Sequence, residues 1–114
     1  MRRKAVLYLR TATRRQHADG SSISAQEDAC RRLADDLDLP VAEVYADVGA
    51  SGRLSPAMRP GLESALEALC QSAVLIAADS DRLAVGDPTL ALLLREVEQR
   101  GATAAAGLLA ATAA

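Results

Sequence analysis

The stretch that decides the fold lies near the amino terminus and reads Ala5-Val6-Leu7-Tyr8-Leu9-Arg10-Thr11-Ala12. It contains a short apolar run bounded by polar residues, so we predict a buried strand over residues 4–9. The residues that follow are mostly polar as far as Ser22. The strand therefore delivers Arg10 to its carboxyl end, where a loop begins.

Three more short apolar runs along the chain have the length of strands, and helical patterns separate them. The runs cover residues 41–45, 74–78 and 102–109, the last being a weak candidate. Strands that alternate with helices indicate an α/β fold with parallel strands and helices on both faces. We therefore expect a three-layer domain with a mostly parallel central sheet of about four strands.

Capping signals place three helices between those strands. Ser24 and Glu27 have the spacing of a capping box, so a helix begins there, and Pro40 stops it. A second helix covers about residues 60–70, and a third, which opens on a cap followed by a proline, covers residues 87–100. The inward positions by helical spacing are Ala29, Cys30, Leu33, Leu37, Leu62, Leu66 and Leu69.

Polar segments directly follow the first three predicted strands. They are residues 10–13, 47–52 and 79–82. The carboxyl ends of parallel strands lie at one edge of a sheet, where α/β proteins bind their ligands. The sequence therefore brings three separate segments to one candidate site.

Composition and charge limit the possible functions. The chain has 114 residues, of which 50% are hydrophobic, which is enough for one hydrophobic core. Only 2% are aromatic, which argues against the stacking surfaces that bind single-stranded nucleic acid. The net charge is −2, yet residues 1–32 carry eight Arg and Lys against three acids, a net charge of +5. Residues 33–114 therefore carry −7, which argues against a DNA-coating surface but allows a local phosphate site.

We expect no cofactor, no metal ion and no membrane attachment. His17 has no ligand partners at suitable spacing, and we interpret Cys30 and Cys70 as buried thiols on helix faces. No window reaches the ~18 apolar residues of a membrane span, and the apolar run after residues 1–4 is too short for a secretory signal. The expected location is the cytoplasm.

Four segments in chain order resemble motifs of the serine recombinases, the resolvase and invertase family. They are Tyr-x-Arg-x-Ser-x-x-x-Gln at residues 8–16, with alanine in the serine position, Ser-Ile-x-x-Gln at residues 22–26, Asp-x-x-x-Ser-Gly and Arg-Pro-Gly-Leu within residues 47–62, and Asp-Arg-Leu at residues 81–83. The resemblance covers about residues 4–108. It implies a fold like the resolvase catalytic domain.

The resemblance implies a reaction in which a serine hydroxyl attacks a DNA phosphate, giving a covalent phosphoserine–DNA intermediate and a free 3′-hydroxyl. Clustered guanidiniums suit that transition state because they present fixed forks of donors to the phosphate oxygens. Arg10 and Arg82 match catalytic arginines, and Asp81 matches a carboxylate that orients an arginine or exchanges a proton. The residues that match DNA-phosphate contacts are Tyr8, Gln16, Gln26, Ser51, Gly52 and Arg59.

Two positions depart from the family's pattern. Ala12 stands where the family has its nucleophilic serine, so covalent catalysis at that position is chemically impossible. Val85 stands where the Asp-Arg-Leu-x-Arg motif has a second arginine, which removes a guanidinium from the transition state. We therefore predict a pseudoenzyme, with a recombinase-like catalytic domain over residues 1–109 and an alanine-rich tail over residues 110–114.

The resemblance also bears on partners. It implies that active relatives continue into a dimerisation helix and a DNA-binding region, for which this chain has no sequence. The expected partners are therefore DNA, bound weakly or not at all by the chain alone, and a full-length recombinase. Origin as a remnant of a mobile element fits the same pattern.

Two other functions remain open at this point. An active DNA-cutting recombinase could use a displaced hydroxyl on Thr11 or Thr13, although alternation along a strand points both away from the nucleophile position. An unrelated small α/β phosphate-binding module is the other. The plain structural alternatives are a surface ion-pair cluster for Arg10, Asp81 and Arg82, and a turn for Ser51-Gly52.

Overall fold

A computed structural model describes residues 3–12 and 22–106. Within them, four parallel strands form one sheet in the order β2-β1-β3-β4: β1 (Ala5–Thr11), β2 (Val41–Val48), β3 (Val74–Ala77) and β4 (Thr103–Ala106). The helices are α1 (Ile23–Asp36), α2 (Pro60–Ala68), α3 (Ser80–Leu83) and α4 (Asp87–Gln99), and a 3₁₀ turn covers Pro56–Met58. The predicted α/β fold with a parallel central sheet is confirmed.

Helices cover both faces of the sheet, which makes three layers. On one face, Cys30 of α1 shares a buried cluster with Leu7. On the other face, Leu66 of α2 and Val97 of α4 share a buried cluster with Val6. The chain steps from β1 to β2 and then crosses back to β3 and β4, so crossovers of one hand place α1 opposite α2 and α4.

The direction of winding reverses at β1, because β2 lies on one side of this strand and β3 on the other. Such a switch point opens a crevice at the carboxyl ends of the two diverging strands, where α/β proteins bind ligands. β1 ends at Thr11 and β3 ends at Ala77. The polar segments after these strands therefore flank the crevice.

β1 is buried along its whole length and presents alternate side chains to the two faces. Tyr8 belongs to the cluster under α2 and α4, whereas Leu7 and Leu9 belong to the cluster under α1. By the same alternation, Thr11 faces α1 and Arg10 faces the opposite side. Thr11 is buried, and its hydroxyl has no hydrogen-bond partner in the part of the chain that the structure describes.

The start of α1 differs from the predicted capping box at Ser24. Ser22 is the N-cap, and its hydroxyl accepts from the backbone N–H of Ala25 at 3.2 Å. Ser24 lies in the first turn, and Glu27 forms an ion pair with Arg31 at 2.9 Å. The helix begins earlier because Ser22 has the extended backbone that turns its side chain onto the exposed N–H groups.

The inward face of α1 also differs from the predicted stripe. Its buried residues are Gln26, Cys30 and Ala34, spaced four apart, while Leu37 is 43% exposed beyond the end of the helix. Apolar periodicity missed this face because a glutamine holds one of its positions. The polar amide of Gln26 is nevertheless stable in this buried position, because it forms hydrogen bonds with the backbone of β1.

Elsewhere the predicted elements differ mainly at their ends. β1 and β2 run further than predicted, and residues 107–114, which include the predicted tail, lie outside the described residues. α3 is absent from the sequence-based prediction, and Asp79 caps it by accepting from the backbone N–H of Arg82 at 3.2 Å. The predicted inward residues of α2 are buried, namely Leu62, Leu66 and Leu69.

The two cysteines lie in different environments. Cys30 is buried as predicted, and this burial raises the pKa of its thiol to about 12. Cys70 is exposed, so the predicted buried thiol at this position is wrong. The reason is that α2 ends at Ala68, before it reaches the cysteine.

We expect an aromatic disulfide reagent at neutral pH to modify Cys70 quickly and Cys30 only when the protein unfolds. The thiolate is the reactive form, and Cys30 is both covered and held protonated. Counting released thiolate before and after addition of denaturant checks this, with one thiol expected first and two afterwards. Fast reaction of both thiols in the native protein would contradict the position of Cys30.

None of the helices within residues 3–12 and 22–106 has the length and apolar character needed to cross a bilayer. The same part of the chain holds no group of three or more His, Cys, Asp or Glu side chains that could bind a metal ion.

Candidate active site

Arg10 stands at the end of β1, and its guanidinium joins the loop after β2 to α3. Nε donates to the carbonyl of Arg82 at 3.1 Å, Nη1 to that of Ala50 at 2.8 Å and Nη2 to that of Asp81 at 2.7 Å. Arg10 is 4% exposed. A guanidinium has five N–H donors, so three are taken by backbone carbonyls and two remain.

Three guanidiniums and a carboxylate act on one another around Arg10. Burial lowers the pKa of Arg10, Tyr8 raises it, the neighbouring guanidiniums of Arg59 and Arg82 lower it further, and Asp79 raises it. No carboxylate forms a hydrogen bond with Arg10 in the part of the chain that the structure describes. Cations held this close favour the binding of an anion.

Arg82 of α3 is the most accessible guanidinium of this group. Its Nη1 donates to the carbonyl of Arg10 at 3.4 Å, and its Nε lies 3.5 Å from Oδ2 of Asp79. The side chain is 21% exposed, and Nη2 makes no hydrogen bond with any described residue. Nη2 of Arg82 therefore keeps its N–H donors unpaired among the described residues.

Gln26 fixes the backbone of Arg10 from the side of α1. The Arg10 N–H donates to Oε1 at 3.0 Å, and Nε2 donates to the Arg10 carbonyl at 2.9 Å. β1 pairs with β3 from Ala5 to Leu7. Further along β1, at Arg10, the Gln26 amide makes backbone hydrogen bonds of the kind that a neighbouring strand makes. Gln26 is fully buried and influences this site through the position of Arg10.

Gly52 and Val85 form the wall beside the Arg10 guanidinium. The Gly52 carbonyl accepts from the Val85 N–H at 3.0 Å. A Cβ on Gly52 would lie 2.8 Å from both Nη2 of Arg10 and Cγ2 of Val85, so a side chain does not fit without a shift. Val85, the position where the motif has an arginine, thus stands at the cluster itself.

Ala12 follows the last residue of β1 and is exposed. The preceding carbonyl, that of Thr11, accepts from the N–H groups of Gly49 and Ala50 at 2.8 and 3.0 Å. These bonds attach the loop after β2 to the end of β1. Ala12, which is predicted to stand at the family's serine position, therefore lies at the carboxyl end of β1, where its methyl group is exposed.

The side chains of two predicted site residues, Ser51 and Asp81, stand apart from the cluster. Ser51 accepts from the backbone N–H of Arg53 at 3.1 Å, which is a local turn. Asp81 is exposed and its carboxylate pairs with none of the described residues, because the carboxylate that meets Arg82 is that of Asp79. Gln16 lies outside the described residues.

Tyr8 and Asp47 form a buried network beneath the crevice. The Tyr8 hydroxyl donates to Oδ2 of Asp47 at 2.7 Å, and the same carboxylate accepts from the N–H groups of Gly61 at 2.8 Å and Leu62 at 2.9 Å. Asp47 therefore caps α2 from the neighbouring strand. Burial raises the pKa of Tyr8, and the hydrogen bond to Asp47 raises it further. A Cβ on Gly61 would lie 2.7 Å from the carbonyl carbon of Ala46, so this contact requires glycine.

Arg59 is fully buried next to this network. Its Nε donates to the carbonyl of Leu54 at 3.2 Å, and its guanidinium carbon lies 6.0 Å from the centre of the Tyr8 ring. Neither terminal nitrogen makes a hydrogen bond with any described residue, although the charge of Arg59 acts to lower the pKa of Tyr8. Arg59 adds charge to the cluster, but in this conformation its donors are closed to a phosphate from solvent.

The sequence match that decides the family is a model described as the resolvase N-terminal domain, which covers residues 5–105. The chain belongs to the resolvase family. No curated protein matches it.

Solved structures share the fold of this resolvase-family domain. The N-terminal catalytic domain of TP901-1 integrase is 22% identical, with 92% of this chain and 78% of that one covered and a TM-score of 0.80. The C-terminal catalytic domain of ISC1926 TnpA, an IS607-like serine recombinase, is 21% identical over 91% and 67% of the two chains, with a TM-score of 0.73. A resolvase family site-specific recombinase from Streptococcus pneumoniae is 19% identical over 92% and 72%, with a TM-score of 0.70.

Family membership removes the alternative of an unrelated phosphate-binding module. The contacts and burial described above separate the residues of this resolvase domain into two groups. The residues gathered at the crevice are Arg10, Gln26, Gly52, Arg82 and Val85, with Ala12 at the carboxyl end of β1. The residues that support the fold beneath it are Tyr8, Asp47, Arg59 and Gly61. Sequence reasoning missed the capping roles of Asp47 and Asp79. Asp79 stands three residues before the N–H that it caps, which is a readable signal, whereas Asp47 lies fourteen residues before Gly61 and only the fold brings the two together.

Proposed function

We propose that this domain is a serine-recombinase catalytic domain in fold but does not cut DNA. The observation that carries the proposal is Ala12, which follows β1 at the position of the family's serine. Covalent phosphoryl transfer needs a side-chain oxygen that attacks phosphorus and loses its proton. A methyl group has neither a lone pair nor an acidic proton, so the first chemical step has no nucleophile.

Val85 supports the same conclusion independently. It lies against Gly52, which in turn lies against the Arg10 guanidinium, so a second arginine at this position would have joined the charge cluster. Removal of a single donor from the stabilisation of a developing anion commonly costs a factor of about 10² to 10³ in rate. A hydroxyl supplied from elsewhere would therefore still act in a weakened site.

The threonine next to Ala12 is a poor substitute for the missing serine. Thr11 faces α1, and its hydroxyl is buried without a hydrogen-bond partner among the described residues, on the opposite side of the strand from Arg10. To attack a phosphate beside Arg82 it would have to leave the interior and reverse the strand's alternation. Thr13, the other candidate, lies outside the described residues.

The retained cations suit binding rather than cleavage. Arg82 offers its free Nη2 and Arg10 two remaining N–H groups, enough for one phosphate but not for a long DNA contact. We therefore propose DNA as a weak ligand of the chain alone and a full-length recombinase as its protein partner. The mobile-element origin and the cytoplasmic location stay predictions from the sequence.

A chimera tests the absence of cleavage under conditions in which DNA binding is assured. The domain is joined to the dimerisation and DNA-binding regions of a serine recombinase whose recognition site is known, and incubated with DNA that carries that site. We expect no covalent protein–DNA adduct by denaturing electrophoresis or mass spectrometry, while gel-shift binding is retained. A DNA-linked peptide that contains Thr11 or Thr13 would overturn the proposal.

A further inference from the structure

A cavity of about 170 Å³ lies between the 3₁₀ turn and α4, apart from the crevice. Pro56 of the turn and Leu92 and Leu93 of α4 give it apolar walls, and Arg59 forms part of its lining. None of the three residues Arg10, Ala12 and Arg82 lines it. The cavity is therefore a separate feature of the domain.

Arg59 gives this cavity an unsatisfied cation. The residue is 0% exposed, its Nε donates to the Leu54 carbonyl at 3.2 Å, and both terminal nitrogens lack a hydrogen-bond partner within residues 3–12 and 22–106. Buried charged N–H groups without acceptors are unfavourable, and native proteins resolve such cases with a counter-ion or ordered water. The terminal nitrogens of Arg59 therefore call for acceptors that the described residues do not supply.

The other charges of the lining determine what fits. Glu96 lines the cavity but is paired with Arg100 at 3.2 Å, so it does not neutralise Arg59. Its carboxylate nevertheless disfavours an occupant with two negative charges. Arg53 is exposed and also part of the lining, which adds attraction for a single negative charge. Apolar walls lined by two arginines and one carboxylate thus fit a monoanion that has an apolar body.

We propose that this cavity binds a small monocarboxylate with a short apolar body, whose carboxylate pairs with the terminal nitrogens of Arg59. A guanidinium presents two parallel N–H groups to a carboxylate, which makes the pair bidentate. The apolar body packs between Pro56 and Leu93. A cavity of about 150 Å³ accepts a benzene ring, so benzoate has a suitable size. Binding includes a turn of the guanidinium towards the ligand, because each terminal nitrogen exposes less than 1 Å².

The test is a titration of the isotope-labelled chain with benzoate, followed by amide chemical shifts. We expect a dissociation constant in the millimolar range and shifts concentrated at Thr89, Leu92 and Leu93. Benzyl alcohol, which has the same ring without the charge, and inorganic phosphate are each expected to bind at least tenfold more weakly. Arg59→Met is expected to weaken benzoate binding at least tenfold.

A surface variant keeps the test decisive if Arg59→Met fails to fold. Leu92→Glu places a carboxylate at the rim, and Leu92 is 67% exposed, so the core is not disturbed. Leu37→Glu is the matched control, because Leu37 is 43% exposed beyond α1 on the other face of the sheet. Loss of binding in Leu92→Glu but not in Leu37→Glu supports the site. Equal binding in all variants, shifts elsewhere in the chain, or phosphate binding as tight as benzoate binding overturns it.

Discussion

The double variant Ala12→Ser, Val85→Arg, placed in the recombinase chimera, is expected to form a covalent protein–DNA adduct that the unaltered domain does not form. Serine supplies the missing nucleophile at the end of β1, and arginine restores a guanidinium beside Gly52 and Arg10. We expect at least about 100-fold more adduct than from Ala12→Ser alone, since the restored guanidinium is worth about 10² to 10³ in rate. The adduct is measured by denaturing electrophoresis, and the linked residue by mass spectrometry.

The two single variants are the controls for this result. Val85→Arg alone is expected to give no adduct, because it has no hydroxyl to attack phosphorus. Ala12→Ser alone is expected to give a low yield, because its transition state lacks one cation. An equal yield from the unaltered domain, or an adduct from Val85→Arg alone, would contradict the assignment of position 12 as the lost nucleophile.

Asp47→Ala is expected to lower the free energy of unfolding by about 3 kcal/mol, because it removes a helix cap worth about 1 kcal/mol and leaves a buried hydroxyl unsatisfied at about 1–3 kcal/mol. The carboxylate accepts from Tyr8, Gly61 and Leu62, so one substitution affects β1 and α2 together. Domains of this kind have a total stability of about 5–15 kcal/mol, so the loss is a large fraction. Urea denaturation followed by circular dichroism measures it.

The chain contains a matched control for this prediction. The Tyr45 hydroxyl donates to the Glu43 carboxylate at 2.8 Å, the same kind of pair in an exposed position. Glu43→Ala is therefore expected to change stability by less than about 0.5 kcal/mol. Tyr8→Phe keeps the cap and is expected to fall between the two. A loss for Asp47→Ala no larger than that for Glu43→Ala would contradict the role of the buried network.

The fold was largely predictable from sequence because each strand is a short apolar run with its own polar ending. Val74–Ala77 is fully buried, as its composition indicates, and the segment after it turns back to meet Arg10. The meeting of Arg10 and Arg82 followed from the rule that parallel strands end at one edge. Helix ends were less predictable, since Ser22 and Ser24 are both good caps and their backbone angles decide between them.

The division of the motif residues between chemistry and support could not be read from sequence. Tyr8 and Arg59 belong to motifs of the family, yet both are fully buried and face neighbours rather than solvent. Gln26 bonds to the backbone of Arg10. Nearly every residue type offers the same N–H and carbonyl groups, so the identity of residue 10 does not reveal this contact. Whether a polar side chain lines a crevice or joins two segments depends on distances between elements far apart in sequence.

The measurement that most directly tests the central claim is a crystal structure of the domain soaked in sulfate. We expect a sulfate within hydrogen-bond distance of Nη2 of Arg82 and beside the methyl group of Ala12, with Arg10 still bonded to the carbonyls of Ala50, Asp81 and Arg82. Separation of Arg10 from Arg82, or a threonine hydroxyl in the place assigned to the Ala12 methyl group, would contradict it.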